Sequence, residues 1–176
     1  GNIVVVRIKN DNKKVCNILE LIGHIDDPGM DLKLIALSKS FEMDFNKSYL
    51  KQLKTIPTEV RPIDIEGRLD LRKELIYTID SSTTKDMDDA ISIKKNEYGN
   101  YVLGVHIADV AHYIKVNTPI FNEAAKRATS VYMANSVIPM IHHNISNGIC
   151  SLNPNVDRLA VSVIMEIDQN GCVINH

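Results

Sequence analysis

Four aspartates lie within ten residues of one another, at Asp80, Asp86, Asp88 and Asp89, with Lys85 the only cation among them. Like charges about 4 Å apart repel by roughly 1 kcal/mol in bulk water and by several kcal/mol near a protein surface. Such a set has three ordinary outcomes: the carboxylates splay into solvent, one takes up a proton, or a hard cation binds among them. Oxygen-only donors at short spacing suit Mg²⁺, Mn²⁺ or Ca²⁺ rather than zinc. The stretch from Leu75 to Ile93 holds no Cys or His to argue otherwise. A helix-loop-helix calcium loop fails against its own template. Counted from Asp86, Ala90 and Ile91 take the fifth and sixth positions, where a ligand and a glycine are required. On spacing alone, a cation site and a solvated acidic loop stand level.

The elements that must position these acids read as strand, loop, strand. Leu75 to Ile79 is apolar and β-prone and delivers Asp80; Ser81 to Lys85 is polar; Ala90 to Ile93 alternates. Apolar spacing near two on both sides fits strands and leaves no helical stripe. Downstream, Asn96–Asn100 is a hairpin turn and Tyr101–Ala108 a strongly apolar strand, in which His106 reads as a buried, hydrogen-bonded residue rather than a ligand. Asp109 suits the cap of a short helix over Val110–Ile114, and Thr118 that of a helix over Pro119–Ala128. Tyr132 reads on composition as a half-buried aromatic. His142 and His143 read as surface residues, because adjacent side chains do not converge on a metal. Ser146–Gly148 is a turn and Cys150–Pro154 an irregular loop. Leu159–Ile167 is a strand, followed by a hairpin at Gln169–Gly171 and a further strand from Cys172.

Upstream, Gly1–Lys9 and Val15–Ile25 read as strands, the second bent at Gly23, around a turn at Asn10–Lys14. Two strands alone are not an independently stable unit, so they must pack on other elements. Helices are expected at Met30–Phe41, with Leu32, Leu34, Ile35, Leu37 and Phe41 on the apolar side, at Lys47–Ile56, and at Pro62–Arg68.

A chain of 176 residues, 44% hydrophobic and 24% charged, has the composition of a soluble globular protein with one core or a core plus a fragment. No apolar run approaches a membrane span, and no cationic-then-apolar leader opens the chain. Three widely spaced cysteines, Cys16, Cys150 and Cys172, suggest neither a disulfide framework nor a zinc site. A cytoplasmic location is the default expectation. The formal charge of −2 gives no basic footprint for nucleic acid. The deficit lies in the half that carries the aspartates, where a metal would offset it.

Several separate motifs occur in one order: TID-x5-DMDDA at Thr78–Ala90, LGVHIADVAHYI at Leu103–Ile114, TSVYMANSVIPM at Thr129–Met140 and SNGICSLNP at Ser146–Pro154. Together they resemble the catalytic domain of the ribonuclease II/ribonuclease R family. VVVRIKN at Val4–Asn10 and DDPGMDLKLIA at Asp26–Ala36 resemble the junction of a cold-shock domain with that domain in bacterial ribonuclease R. The resemblance implies an α+β chain in three parts. Residues 1–25 would be the last strands of an OB-like cold-shock barrel, 26–72 a helical connector, and 73–176 the N-terminal part of a mixed α/β catalytic domain with a mainly antiparallel sheet.

It also implies a fragment of a processive 3′-to-5′ exoribonuclease that hydrolyses single-stranded RNA to nucleoside 5′-monophosphates with Mg²⁺ or Mn²⁺. The parent would be a monomer that does not enter membranes. Carried over residue by residue, Asp80, Asp86, Asp88 and Asp89 are metal ligands, and Asp88 also orients the attacking water or a second metal. Tyr132 stacks on the base at the RNA 3′ end, and the SNG and CSLNP segments line the cleft. Two departures stand out. Ser81, Ser82 and Thr83 replace the Gly or Pro and the following acid that often come after the first aspartate, and Met87 replaces a Phe or Ile. The family's catalytic cation and C-terminal RNA-binding barrel lie further downstream, so the fragment by itself is expected to be inactive. Two rivals remain: a non-catalytic RNA-binding module with a vestigial acidic loop, and a phosphatase-like hydrolase with Asp80 as nucleophile. The second lacks its usual second acid, since Ser82 stands there.

Overall fold

The valine- and isoleucine-rich ends of the first 24 residues favour extended backbone, and β1 (Asn2–Asn10) pairs antiparallel with β2 (Val15–His24). The computed structural model describes residues 1–10 and 15–176, so the turn expected at Asn10–Lys14 falls on residues outside the described ones. Gly23 makes the expected bend as a bulge: Ile3 faces Gly23 while Val4 faces Leu21. Its φ of 149° suits glycine, and a Cβ there would meet Met30 Cε at 2.5 Å and Asp27 Oδ2 at 2.8 Å. The helix α1 (Met30–Ser38) follows Gly29. It stops three residues short of Phe41, because Ser40 turns left-handed and the Phe41 N–H donates back to the Ala36 carbonyl. Its buried residues are Met30 and Ala36, whereas Ile35, Leu37 and Phe41 are exposed, so the expected apolar stripe is not the packed face. These elements belong to one compact unit, Gly1–Asp44 with Val131–Ile138; Phe45–Ser130 with Pro139–His176 form the second.

In the second unit, Asn46 caps α2 (Lys47–Leu53) by accepting from the Tyr49 N–H at 2.9 Å. Pro62 opens the single-turn α3 (Pro62–Ile65). Both helices end three residues before their expected limits, and turn bonds carry the chain on to Ile56 and Arg68. Of the apolar run before Asp80 only β3 (Ile76–Tyr77) enters the sheet. It pairs with β4 (Asp89–Lys95), which pairs with β5 (Tyr101–Ala108) across a turn closed by Asn96 Oδ1, the acceptor for the Tyr98 and Asn100 N–H groups. The helices α4 (Val110–Tyr113) and α5 (Pro119–Arg127) follow, capped by Asp109 and Thr118 as their residue types predict. A short hairpin of β6 (Val131–Tyr132) and β7 (Val137–Ile138) belongs to the first unit. Where a turn was expected at Ser146–Gly148, a π-helical turn spans Ile145–Ile149. The chain closes with β8 (Ala160–Ile167) and β9 (Val173–Asn175). The sheet order is β3-β4-β5-β8-β9, antiparallel throughout, in agreement with the mixed α/β fold and mainly antiparallel sheet expected.

Apolar faces of α2, α4, α5 and the π turn meet in one core, with Tyr49, Ile120, Ile145 and Ile149 almost completely buried. Removing such side chains from water supplies roughly 1.5–3 kcal/mol each. The Tyr49 hydroxyl accepts from the His142 N–H at 2.8 Å, and the His142 ring lies 5.5 Å from that of Phe45. His142 is therefore partly buried rather than a surface residue, because this packing draws it in; His143 stays exposed.

His106 is buried and bridges three strands, with Nε2 3.0 Å from Ser92 Oγ and Nδ1 2.8 Å from Ser162 Oγ. Burial holds its pKa below the ordinary 6.5. With a lowered folded pKa, the unfolded chain takes the proton first as pH falls. Stability is then complete above about pH 6.5 and declines from there down to the folded value. His142 shifts the same way, through burial and then His143. Urea unfolding in that window should show less stability at the acid end, and NMR should find the His106 imidazole titrating below 6.5. Titration at or above 6.5 removes the effect.

Candidate active site

The acidic loop is the connection from β3 to β4. A turn from Ser81 to Thr84, closed by the Thr84 N–H on the Ser81 carbonyl at 3.0 Å, separates Asp80 from the other three acids. Beyond it the backbone is anchored peptide by peptide. Ser151 Oγ donates to the Lys85 carbonyl at 2.9 Å and accepts from the Met87 N–H at 3.0 Å. The Leu152 N–H donates to the Met87 carbonyl, and the Ala108 N–H to the Asp88 carbonyl, each at 2.9 Å. Asp89 is already in the sheet, opposite Ile107. These anchors leave Asp86 partly buried and Asp80, Asp88 and Asp89 exposed.

Asp88 is where the four charges meet. Its pKa is raised first by loss of water on its protein side, then by repulsion from Asp86, Asp89 and Asp80. All three other aspartates thus act on it, although its outer surface remains in solvent. Elsewhere in this unit acids have partners: Asp64 with Arg61, Asp109 with Arg68, Glu123 with Arg127, and Glu166 with Asn96 and Asn100. Among the described residues none of the four loop carboxylates has an ion pair or a side-chain hydrogen bond. An uncompensated set of this kind costs free energy unless a cation arrives.

The chemistry of the set fits a hard divalent cation, since every donor is a carboxylate oxygen and the repulsion at Asp88 is what such an ion relieves. Among the described residues no three His, Cys, Asp or Glu side chains close into a metal-holding cluster. The acids are gathered but not drawn into a finished coordination shell, which suits an ion that relies on substrate phosphates for part of its ligands.

The opposite wall is made by the SNG and CSLNP segments. Arg158 Nε donates to the Gly148 carbonyl at 3.1 Å and to the Ser151 carbonyl at 2.9 Å, and Asn153 Nδ2 to the Asn147 carbonyl at 3.2 Å. Cys150 is buried. Burial first, then the charges of Asp109 and Asp88, push its thiol up to about 12, so it is inert as a nucleophile. Asp109 serves structure: Oδ1 accepts from the His112 N–H at 3.0 Å, and Oδ2 from Arg68 at 2.7 Å. His112 Nε2 lies 3.0 Å from Asp64 Oδ1, and Arg61 grips Asp64 with two nitrogens at 2.9 and 2.8 Å. That grip, with smaller help from His112, holds the Asp64 carboxyl well below the usual range. The segment around α3 is thereby locked to the end of β5, the strand that anchors Asp88.

A cavity of about 740 Å³ reaches from Leu71 and Leu75 across Ala90, His106 and Ser162 to Asn153. It borders the acidic loop at Thr78 and Leu152, but none of the four aspartates lines it. Tyr132 belongs to the first unit and is 72% exposed, so its ring is not half-buried in a core. Ser151, fully buried and bonded to the acidic loop on both sides of Asp86, is the residue that sequence reasoning missed. Its type and neighbours carry no signal beyond its place in the CSLNP segment.

Comparison with known proteins agrees with this picture. The family model of the RNB domain matches residues 68–176. The chain is 47% identical over 159 residues to ribonuclease R 1 of Lactococcus lactis, covering 90% of this chain and 20% of that protein. It is 46% identical over 170 residues to ribonuclease R of Thermotoga maritima, covering 96% of this chain and 24% of that one. The chain thus spans about a quarter or less of these curated relatives. Among solved structures, Mycoplasma genitalium RNase R in complex with double-stranded RNA superimposes with a TM-score of 0.85 at 30% identity. That match covers 98% of this chain and 31% of that one.

Proposed function

Because the chain belongs to the RNB-domain family, that of ribonuclease II and ribonuclease R, we propose that it carries the acidic part of the active site of a processive 3′-to-5′ exoribonuclease. The substrate is single-stranded RNA and the products are nucleoside 5′-monophosphates. The observation that carries this reading is the set of four unpaired aspartates acting together on Asp88 at the start of β4.

Mg²⁺ or Mn²⁺ would polarise the scissile phosphate and make water a better nucleophile at neutral pH. Asp80, Asp86 and Asp89 are the side chains that would hold it. Asp88, at the electrostatic centre, both binds and orients the attacking water. Tyr132 offers an exposed ring for the 3′-terminal base; stacking is sequence-tolerant because every base has a π-face. A complex of RNase R with ribose-methylated single-stranded RNA among the structural relatives supports RNA as the ligand.

In the same reading, residues 1–25 are the end of an OB-like cold-shock domain, 26–72 a helical connector and 73–176 the N-terminal part of the catalytic domain. The exposed apolar side chains of β1 and β2, such as Ile8, Ile18 and Leu21, support missing barrel partners for the first part. The parent is a monomer of the cytoplasm. No helix among the described residues is long and apolar enough to cross a membrane.

The test is a Thermotoga maritima ribonuclease R in which this chain replaces the matching segment. With Mg²⁺ it should shorten 5′-labelled single-stranded RNA from its 3′ end and release nucleoside 5′-monophosphates. RNA binding without hydrolysis would favour a module with a vestigial acidic loop instead.

A further inference from the structure

We propose that Ser151 is a positioning residue for the acidic site, whose single hydroxyl fixes the direction in which Asp86 and Asp88 face a divalent cation. The Lys85 carbonyl and the Met87 N–H belong to the peptide planes on either side of Asp86, and Ser151 Oγ bonds to both. Joining those two planes fixes the backbone angles of Asp86, and with them the root of its side chain. The next two planes are held by the Leu152 N–H on the Met87 carbonyl and the Ala108 N–H on the Asp88 carbonyl. Four consecutive peptides are thus anchored, two of them by one side chain.

Nothing else in the loop can do this. The Met87 side chain has only a long contact, its sulfur 3.7 Å from Thr78 Oγ1, and the four carboxylates repel one another rather than hold the loop. Ser151 is itself fixed. It is completely buried, its carbonyl accepts from Arg158, and its N–H donates to the Gly148 carbonyl at 3.1 Å. A hydroxyl that donates to one peptide and accepts from the next uses both of its capacities, which an alanine, a valine or a thiol cannot reproduce well. The role rests on the proposed function, since it matters only if the acids bind a cation. Residues that orient metal ligands from behind typically change metal affinity by 10–100-fold when replaced.

The test uses the 176-residue chain, labelled for NMR, with Mn²⁺ as probe. The wild type should show weak binding with selective broadening of amides from Asp80 to Ala90. Ser151→Ala should need about tenfold more Mn²⁺ for the same broadening, and the Met87 amide should exchange faster with solvent. Ile120→Val, a core change far from the loop in sequence, serves as the stability control. It should lower the thermal midpoint but leave the Mn²⁺ response intact. Ser151→Cys, close in size with a weak donor and acceptor, should shift in the same direction and carries the test if the alanine variant does not fold. A wild type without selective broadening overturns the metal reading and the positioning role with it. A wild-type response that both Ser151 variants preserve overturns the positioning role alone. Equal losses in Ser151→Ala and Ile120→Val reduce Ser151 to a stability residue.

Discussion

Asp88→Asn, made in a full-length ribonuclease R that carries this segment, is expected to lower the single-turnover rate of hydrolysis by about 1,000-fold or more, with RNA affinity unchanged or slightly tighter. Asparagine keeps the size and some hydrogen bonding of aspartate but removes the charge. Metal-assisted activation of water and phosphate supplies several kcal/mol of transition-state stabilisation, and each 1.36 kcal/mol is tenfold in rate. Asp88 is the group on which Asp86, Asp89 and Asp80 all act, so a change there alters the field at the whole site. Ground-state binding should respond the other way, because one fewer anion faces the phosphates. Single-turnover rates and a filter-binding Kd separate the two effects. Near-normal turnover would remove Asp88 from the chemistry, and a large loss of affinity with an unchanged rate would make it a binding residue.

Tyr132→Ala in the same protein is expected to weaken binding at the terminal nucleotide by roughly 1–3 kcal/mol, or about 5- to 150-fold, while Tyr132→Phe costs little. Two roles were open for this side chain, stacking on a base and packing in a core. Packing would make the alanine variant lose several kcal/mol of folding stability through a cavity. At 72% exposure no such cavity can form, and surface substitutions of this kind stay within about 0.5 kcal/mol. The alanine variant should therefore melt with the wild type yet release RNA early, leaving longer end products. A large fall in melting temperature with an unchanged end product would restore the packing role and end the stacking one.

Much of the local structure was legible from residue types alone. The caps at Asn46, Asp109 and Thr118 and the turns at Asn96–Asn100 and Asp168–Cys172 all use side chains that bond to backbone within four residues. Such contacts close almost independently of the rest of the chain, so sequence spacing decides them. The four aspartates belong to the same class. Their crowding is a matter of covalent distance, and no fold could place Asp86, Asp88 and Asp89 far apart.

The tertiary structure decided what that crowding becomes. Ser151 reaches Lys85 and Met87 across 66 and 64 residues, Arg68 reaches Asp109 across 41, and His112 reaches Asp64 across 48. None of these partners is marked by periodicity or by a turn signal, because each contact depends on where the sheet, the π turn and the helices come to rest. The same packing drew His142 inward and left Tyr132 in solvent, reversing or sharpening what their neighbours suggested. Residue types by themselves fixed the presence of a dense negative charge between two strands. Packing alone determined that its backbone is held from the opposite wall, that its carboxylates go unpaired, and hence that the charge remains available to a cation. Short-range geometry is set by bonds, whereas pairing across the chain is set by burial, which spacing does not encode.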